Sequence, residues 1–408
     1  MKVCMILKSD FQSFKHDSRV LREATALTGA GHNVCVLLYG KKGMCLDYKG
    51  ISVYVTELET ERLINKYRRF MQKAGAIGKL FSGLIIHLAA RFFNTEYYLK
   101  TLQMAEKLNP DIYHCHDIAT LAIGIRLKNL TNKKVVYDSH ELWSGSSEFT
   151  GLRGALRGWI VVLKERRLMR KTDVNITVNA SIARYLEQKY SLDKVYVIRN
   201  VPEKPAALNN KSLLRQELGI NKDCKIVLYL GALMEGRGLE NLLKAWDYVD
   251  SGIVLVIMGF GPLYRVLEDA VSASGLSGKL FIKKGVDPDK VLGYTISSDL
   301  GVVTSQNTCL SYYYSSPNKV WEYILAGVPF LASDFPELGK LARDEGMGMV
   351  IDPDSPLDIA EKVNFILSEK NRHVYDRMKE NCVYNGMWKY NWNIEKTKLI
   401  DIYGMLNE

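Results

Sequence analysis

Short apolar runs alternate along the chain with stretches whose apolar positions recur every three to four residues. That is the signature of strands alternating with helices. Residues 1–7 form a strand-like run, and 8–17 a polar loop. Val20, Leu21, Ala24 and Leu27 give 18–27 a helical spacing that closes at Gly29 and Gly31, and 34–39 is apolar again. A strand–loop–helix–strand opening predicts a parallel α/β sheet. The loop after the first strand lacks G-x-G-x-x-G, which leaves a nicotinamide or flavin site unsupported. Strands are predicted at 111–117, 134–137, 174–178 and 195–198, and Arg199, Asn200, Val201 and Pro202 end the half. Pro202, Pro205, Asn209 and Asn210 mark a linker.

The second half begins the same way. Strands are predicted at 225–230, 253–258, 280–283, 299–303 and 330–332, with helices at 239–246 and 263–271, and the chain is largely helical from 358. Each strand passes into a helix through a Gly- or Pro-bearing loop, so the loops gather on one edge. A helix over 317–326 has a prepared entrance. Ser316 suits the N-cap, Pro317 the first helical position, and Gly327 the place just past the end.

Two segments carry basic residues beside an apolar stripe. At 61–93, Leu63, Tyr67, Phe70 and Met71 begin a helical repeat, with Arg62, Lys66, Arg69 and Lys73 on other faces. At 151–171, seven basic residues accompany Trp159, Ile160, Val161, Val162 and Leu163. Either segment suits a membrane interface, and either suits packing inside its own domain with its cations solvated.

The 408 residues exceed one ordinary core, so two domains are expected: 1–202 and 203–390, with 391–408 a helix crossing back to the first. With 47% hydrophobic and 25% charged residues, the balance excludes low-complexity and disordered classes. The start MKVCMILKSD does not read as a signal peptide, and no apolar run is long enough to span a bilayer. Seven scattered cysteines form no C-x-x-C or zinc spacing and are expected to be reduced core residues of a cytoplasmic protein. The net charge of +10 admits an anionic membrane surface, an anionic substrate or nucleic acid. No zinc finger, aromatic RNA-binding motif or basic tail is present, so no nucleic-acid partner is expected.

Three features of the second half suit phosphate. Backbone N–H groups free at the start of the 317–326 helix favour an anion, and Lys319 adds a positive charge there. On that helix Lys319, Glu322 and Ala326 share a face, a pairing that suits a phosphate beside a hydroxyl-rich group; a plain surface Lys–Glu pair would use the same residues. Gly236, Arg237 and Gly238 offer close backbone approach and a guanidinium fork, or a plain turn. Gly259 and Gly261 repeat the theme weakly, since tight strand-on-helix packing explains them almost as well. In the first half His116, Asp117, His140 and Glu141 stand at strand ends on one edge, as sugar or acceptor ligands, proton carriers or plain hydrogen-bonding groups. His114 is expected to point into the core, and no spacing supports a dedicated metal site.

The stretches GALMEGRGLENLL, IMGFGP and SSPNKVWEYILAGVPFLASDFPEL, with YDSHELW, VYVIRNVP, Trp392 and Tyr403, resemble the retaining glycosyltransferases of family 4. The resemblance implies the GT-B architecture, two Rossmann-like domains facing across a cleft. It implies a nucleotide-sugar donor, UDP favoured over GDP, in the C-terminal domain, and a lipid-linked or glycan acceptor in cell-surface polysaccharide assembly. Neither a metal nor a cofactor is implied. Glu322 would accept ribose hydroxyls, and Pro317, Asn318 and Lys319 would lie by the phosphates. Arg237, with Gly236, Gly238, Gly259 and Gly261 in the donor-binding turns, would neutralise the diphosphate, and His116 would touch the donor sugar. Many members carry a glutamate eight residues before the ribose ligand; here it is Tyr314, which leaves open a non-catalytic subunit of the same fold. Arg237, Lys319 and Glu322 are expected to line one hollow between the lobes.

Overall fold

The computed structural model describes residues 1–60, 75–146, 151–203, 212–276 and 278–407. The first domain is built on eight strands: β1 (Lys2–Ile6), β2 (Asn33–Gly40), β3 (Met44–Tyr48), β4 (Ile51–Glu57), β5 (Ile112–His116), β6 (Lys134–Ser139), β7 (Val174–Thr177) and β8 (Tyr196–Val197). Their order is β3-β4-β2-β1-β5-β6-β7-β8, parallel except for β3 against β4. In β1, Val3 and Met5 face one core while Cys4 and Ile6 face the other, all 0% exposed. Burial on both faces is why the strand reads as an unbroken apolar run. The β3–β4 hairpin turns through Lys49 and Gly50, both at positive φ; Asp47 and Lys49 break the β3 run, whereas the alternation of Ile51, Val53 and Val55 in β4 is a signal the sequence reading missed. The strand predicted at 195–198 contracts to the two residues of β8.

The second domain carries β9 (Lys225–Ala232), β10 (Ile253–Phe260), β11 (Leu280–Lys284), β12 (Leu300–Val303), β13 (Phe330–Ser333) and β14 (Gly348–Ile351). They run parallel in the order β11-β10-β9-β12-β13-β14. The order reverses between β9 and β12, so the crevice beyond their carboxyl ends is where this topology places a ligand. Ile226, Leu228 and Leu230 enter one core of β9, and Val227 and Tyr229 the other.

The last helix, Trp392–Met405, sends Trp392, Leu399, Ile402 and Tyr403 into the core of the first domain. Its Glu395 accepts the Arg199 backbone N–H at 2.9 Å. The domains also touch directly. Asn179 donates to the Tyr314 carbonyl at 2.8 Å and Asn200 donates to Asn318 at 3.0 Å. The Asn318–Ala326 helix starts one residue later than the sequence predicts, because Pro317 at ψ 141° is still extended and serves as the cap residue; Gly327 closes the helix at φ +67°. Of the two basic segments, 61–74 with Arg62, Lys66, Arg69 and Lys73 lies outside the described residues; a helix from Gly75 runs on to Leu108, well past residue 93. No helix among the described residues is long and apolar enough to cross a membrane.

Candidate active site

The turn after β9 carries Arg237 between Gly236 and Gly238. A Cβ on Gly238, at φ +65°, would stand 2.3 Å from the Thr304 carbonyl oxygen, so only glycine lets the loops after β9 and β12 meet. Thr304 completes that junction by donating Oγ–H to the Arg237 carbonyl at 2.7 Å. The Arg237 guanidinium is 4.3 Å from the centre of the Tyr312 ring, and its buried Nε has no hydrogen-bond partner. Lys319, in the first turn of the Asn318–Ala326 helix, is 9% exposed, with Nζ 3.2 Å from the centre of the Tyr229 ring. Both cations line a hollow of about 330 Å³ together with Gly231, Ser316, Pro317 and Asn318. Among the described residues neither pairs with a carboxylate. Burial, and the Arg237 cation next to it, hold the Lys319 ammonium well below its ordinary value. Two cations by a helix start, against the single carboxylate of Glu141 on the same wall, make a site that favours a multiply charged anion.

Glu322, one turn further along, lines a second hollow of about 790 Å³ with Arg22, Asn200, Asn318, Asp287 and Pro288. The single hollow expected from the sequence is thus divided, and Asn318 stands on both walls. Burial pushes the Glu322 carboxyl up to about 7, against the opposing pull of Arg22.

From the first domain, His140 and Glu141 reach the smaller hollow. His116 does not. It is 3% exposed and stands behind His140, its Nδ1 3.1 Å from His140 Nε2. The reason is the strand period: His114 and His116 lie on one face of β5 and stack at 4.3 Å inside the domain, whereas His140 lies past the end of β6 and can turn into the cleft. Asp117 also lies off the hollow. At φ +62° it accepts the His140 backbone N–H at 3.1 Å and the Trp143 indole N–H at 3.0 Å, and so shapes the loop. Burial pulls the His140 imidazole down, but Asp117 and Asp138 outweigh it and raise it to about 10. His114 lies in the core as expected, where its Nδ1 meets the Tyr403 hydroxyl at 2.9 Å.

Three further expectations change. Tyr314 lines neither hollow; its ring packs 5.6 Å from that of Tyr185 in the first domain. Gly236 and Gly238 lie off the hollow wall, and Gly231 is the glycine that faces it. Gly259 and Gly261 serve packing: a Cβ on Gly259 would fall 1.8 Å from the Gly231 carbonyl oxygen, so the ends of β9 and β10 could not close. Glu23, His114, His116 and Asp138 bring metal-type donor atoms within 4.8 Å of one another. Arg19 already supplies their cation, 3.1 Å from Glu23 and 2.7 Å from Asp138. The sequence reading missed Arg19, Arg22, Asn179 and Tyr312. For Arg19 and Glu23 a signal existed: they fall on the helix face of Val20, Ala24 and Leu27, where charges need buried partners.

Comparison with known proteins bears on the fold and the family. The model for Glycosyltransferase Family 4 matches residues 18–201 and that for Glycosyl transferases group 1 matches 210–386. An uncharacterised glycosyltransferase of Methanocaldococcus jannaschii is 25% identical over 73% of this chain and 76% of its own. A chitobiosyldiphosphodolichol β-mannosyltransferase of Candida albicans is 24% identical over 57% of this chain and 54% of its own. Among solved structures, sucrose-phosphate synthase from Thermosynechococcus elongatus superposes with a TM-score of 0.70 at 16% identity, covering 100% of this chain and 99% of that one. Anabaena HepE in complex with UDP gives 0.70 at 15% identity, covering 99% and 100%. Two matched models that together span most of the chain, on two facing Rossmann-like domains, make it a member of the GT-B glycosyltransferases of group 1 and family 4.

Proposed function

We propose that this chain transfers a sugar from a nucleoside diphosphate donor, UDP in preference to GDP, to a lipid-linked or glycan acceptor with retained configuration and without a metal. The observation that carries the reading is the unpaired Arg237–Lys319 couple at the start of the Asn318–Ala326 helix, one turn from Glu322. The nucleoside occupies the larger hollow, its ribose hydroxyls donating to Glu322, and the diphosphate crosses Asn318 to reach the two cations. As the sugar C1–O bond breaks, its electron pair passes to the diphosphate, and Arg237, Lys319 and the helix-start N–H groups stabilise that charge as it forms. Among the described residues Glu141 is the carboxylate on the smaller hollow, with no second one beside it to act as nucleophile. The acceptor hydroxyl therefore gives its proton to the leaving phosphate oxygen while its own oxygen bonds C1 on the same face, which retains configuration. HepE structures with UDP and UDP-glucose support the donor class, and relatives named for lipopolysaccharide and dolichol-linked substrates support the acceptor class.

An anionic membrane surface is part of this reading. Trp159, Ile160 and Leu163 are 60%, 53% and 42% exposed on the Gly151–Met169 helix, and Lys164, Arg167 and Lys171 line the groove beside Leu163. Flotation with vesicles containing anionic lipid should retain the wild type and release Trp159→Asp; indifference to lipid charge ends the membrane part. For the enzyme, thermal shift across UDP-, GDP-, ADP- and TDP-sugars should single out one base, followed by transfer that Arg237→Ala and Glu322→Ala abolish. Donor binding with no transfer or donor hydrolysis would instead make the chain a non-catalytic subunit, the reading that Tyr314 in the acid position favours.

A further inference from the structure

Behind His140 lies a layer of charged side chains closed off from solvent. Asp138, 0% exposed, receives two hydrogen bonds from Arg19: Nε–H to Oδ2 and Nη2–H to Oδ1, both at 2.7 Å. Arg19 is itself tied by Nη1–H to the Ile198 carbonyl at 2.7 Å. A two-point guanidinium–carboxylate pair is planar and admits one orientation, so the Asp138 carboxylate cannot swing. Its Oδ2 stands 3.2 Å from His140 Nε2 and 3.5 Å from His116 Nδ1. The other His140 nitrogen, Nδ1, faces the Asp117 carboxylate at 3.6 Å.

We propose that Asp138 is a positioning residue: clamped by Arg19, it fixes the His140 ring at the edge of the smaller hollow with Nε2 ion-paired to its own carboxylate and Nδ1 facing that of Asp117. The kinetic part of this rests on the transferase reading. The groups that face His140 are Asp138 behind it, Asp117 at the start of the Ile118–Thr131 helix, His116 on β5, Arg19 from the Ser18–Gly29 helix and the adjoining Glu141, with Arg237 and Lys319 across the hollow. Burial works against a charged ring, yet the two carboxylates win and hold the imidazole at about 10. His140 then serves the leaving diphosphate as a fixed positive group in the wall, and has no lone pair with which to act as a base for the acceptor.

The test uses the full chain with ¹⁵N-labelled histidine and two variants. Asp138→Asn keeps the shape and removes the charge; Asp138→Asn with Arg19→Gln removes both charges, so no cation is stranded in the core if the single variant folds poorly. With His140→Gln to assign the signal and no donor present, the wild-type His140 ring at pH 8 should show two protonated nitrogens. In both variants it should become neutral and titrate near the ordinary histidine value of about 6.5. In the transfer assay Asp138→Asn should lower kcat about 100-fold with donor KM changed less than about threefold, and in the His140→Gln background it should change kcat less than about threefold. An unchanged ring state in both variants overturns the proposal, and so does an equal kcat loss in both backgrounds. A wild type that transfers sugar from no donor sinks the transferase reading instead, and the ring state still decides the role of Asp138.

Discussion

Glu337 of the C-terminal domain accepts the backbone N–H of Ser181 in the N-terminal domain at 2.7 Å, with both residues buried. Ser181 lies in the first turn of the Ala180–Tyr190 helix, so a carboxylate of one domain satisfies an open N–H at a helix start of the other. Asn179 caps the same helix through the Ile182 N–H while donating to Tyr314 and Ser316 across the boundary. Glu337→Ala should cost about 1–2 kcal/mol and lower the melting temperature by roughly 2–4 °C per kcal/mol. Glu337→Gln, which can still accept, should recover about half. Calorimetry checks both, and an unchanged melting curve for Glu337→Ala would show that the contact contributes nothing to docking.

Glu322 gives donor binding a pH dependence. Burial raises its carboxyl to about 7, so near neutrality it is half protonated in the empty protein. An ionised carboxylate accepts two hydroxyls, whereas a protonated one loses an acceptor. UDP affinity should therefore rise from pH 6 to pH 8, and Glu322→Gln should bind about tenfold more weakly with that slope gone. Calorimetric titration at three pH values decides it.

Lys319 makes the opposite exchange. Burial and Arg237 depress its ammonium in the empty site, and an arriving diphosphate pulls the other way, toward the charged form. Any proton that UDP binding exchanges at Lys319 should therefore be taken up, not released. Titration in two buffers of different ionisation enthalpy reads the uptake, and Lys319→Met should remove it. Equal uptake in that variant would assign the proton elsewhere.

Glu165 governs stability rather than binding. Burial raises it to about 7, with the Tyr190 and Tyr137 hydroxyls pulling the other way at 2.7 and 3.3 Å. Because the folded value lies above the unfolded one, its contribution to stability is full below the unfolded value of about 4.5 and is lost as pH rises through about 7. At pH 8 the loss is of order 3 kcal/mol. Glu165→Gln should flatten that part of the stability profile in urea unfolding, and a wild-type slope in the variant would shift the cause to another acid.

How much of this was legible in the sequence depends on whether a property is local. Apolar runs and helix-ending glycines are local, so most strands of both sheets and the Gly327 helix end could be read, though not β3, β4 or β14. That Arg237 and Lys319 share one hollow was legible because glycine turns and a helix entrance suit an anion; that Glu322 faces a second hollow was not. The placing of His116 was not. Strand period puts His116 and His114 on one face, but which face the cleft uses depends on how β6 overshoots β5, a tertiary relation. Tyr314 was opaque for a similar reason, since its partners Tyr185 and Asn179 lie more than 120 residues away. Gly259, expected in a donor-binding turn, serves packing instead, because a Gly–Gly strand crossing needs no ligand.

Asn318 touches both hollows while each keeps its own remaining wall. On the proposed donor placement, selection among bases and selection among sugars would be exerted by separate sets of side chains joined at one residue. Recoding the larger chamber could alter which nucleotide is taken while leaving the transferred sugar alone, and the reverse exchange should be equally modular.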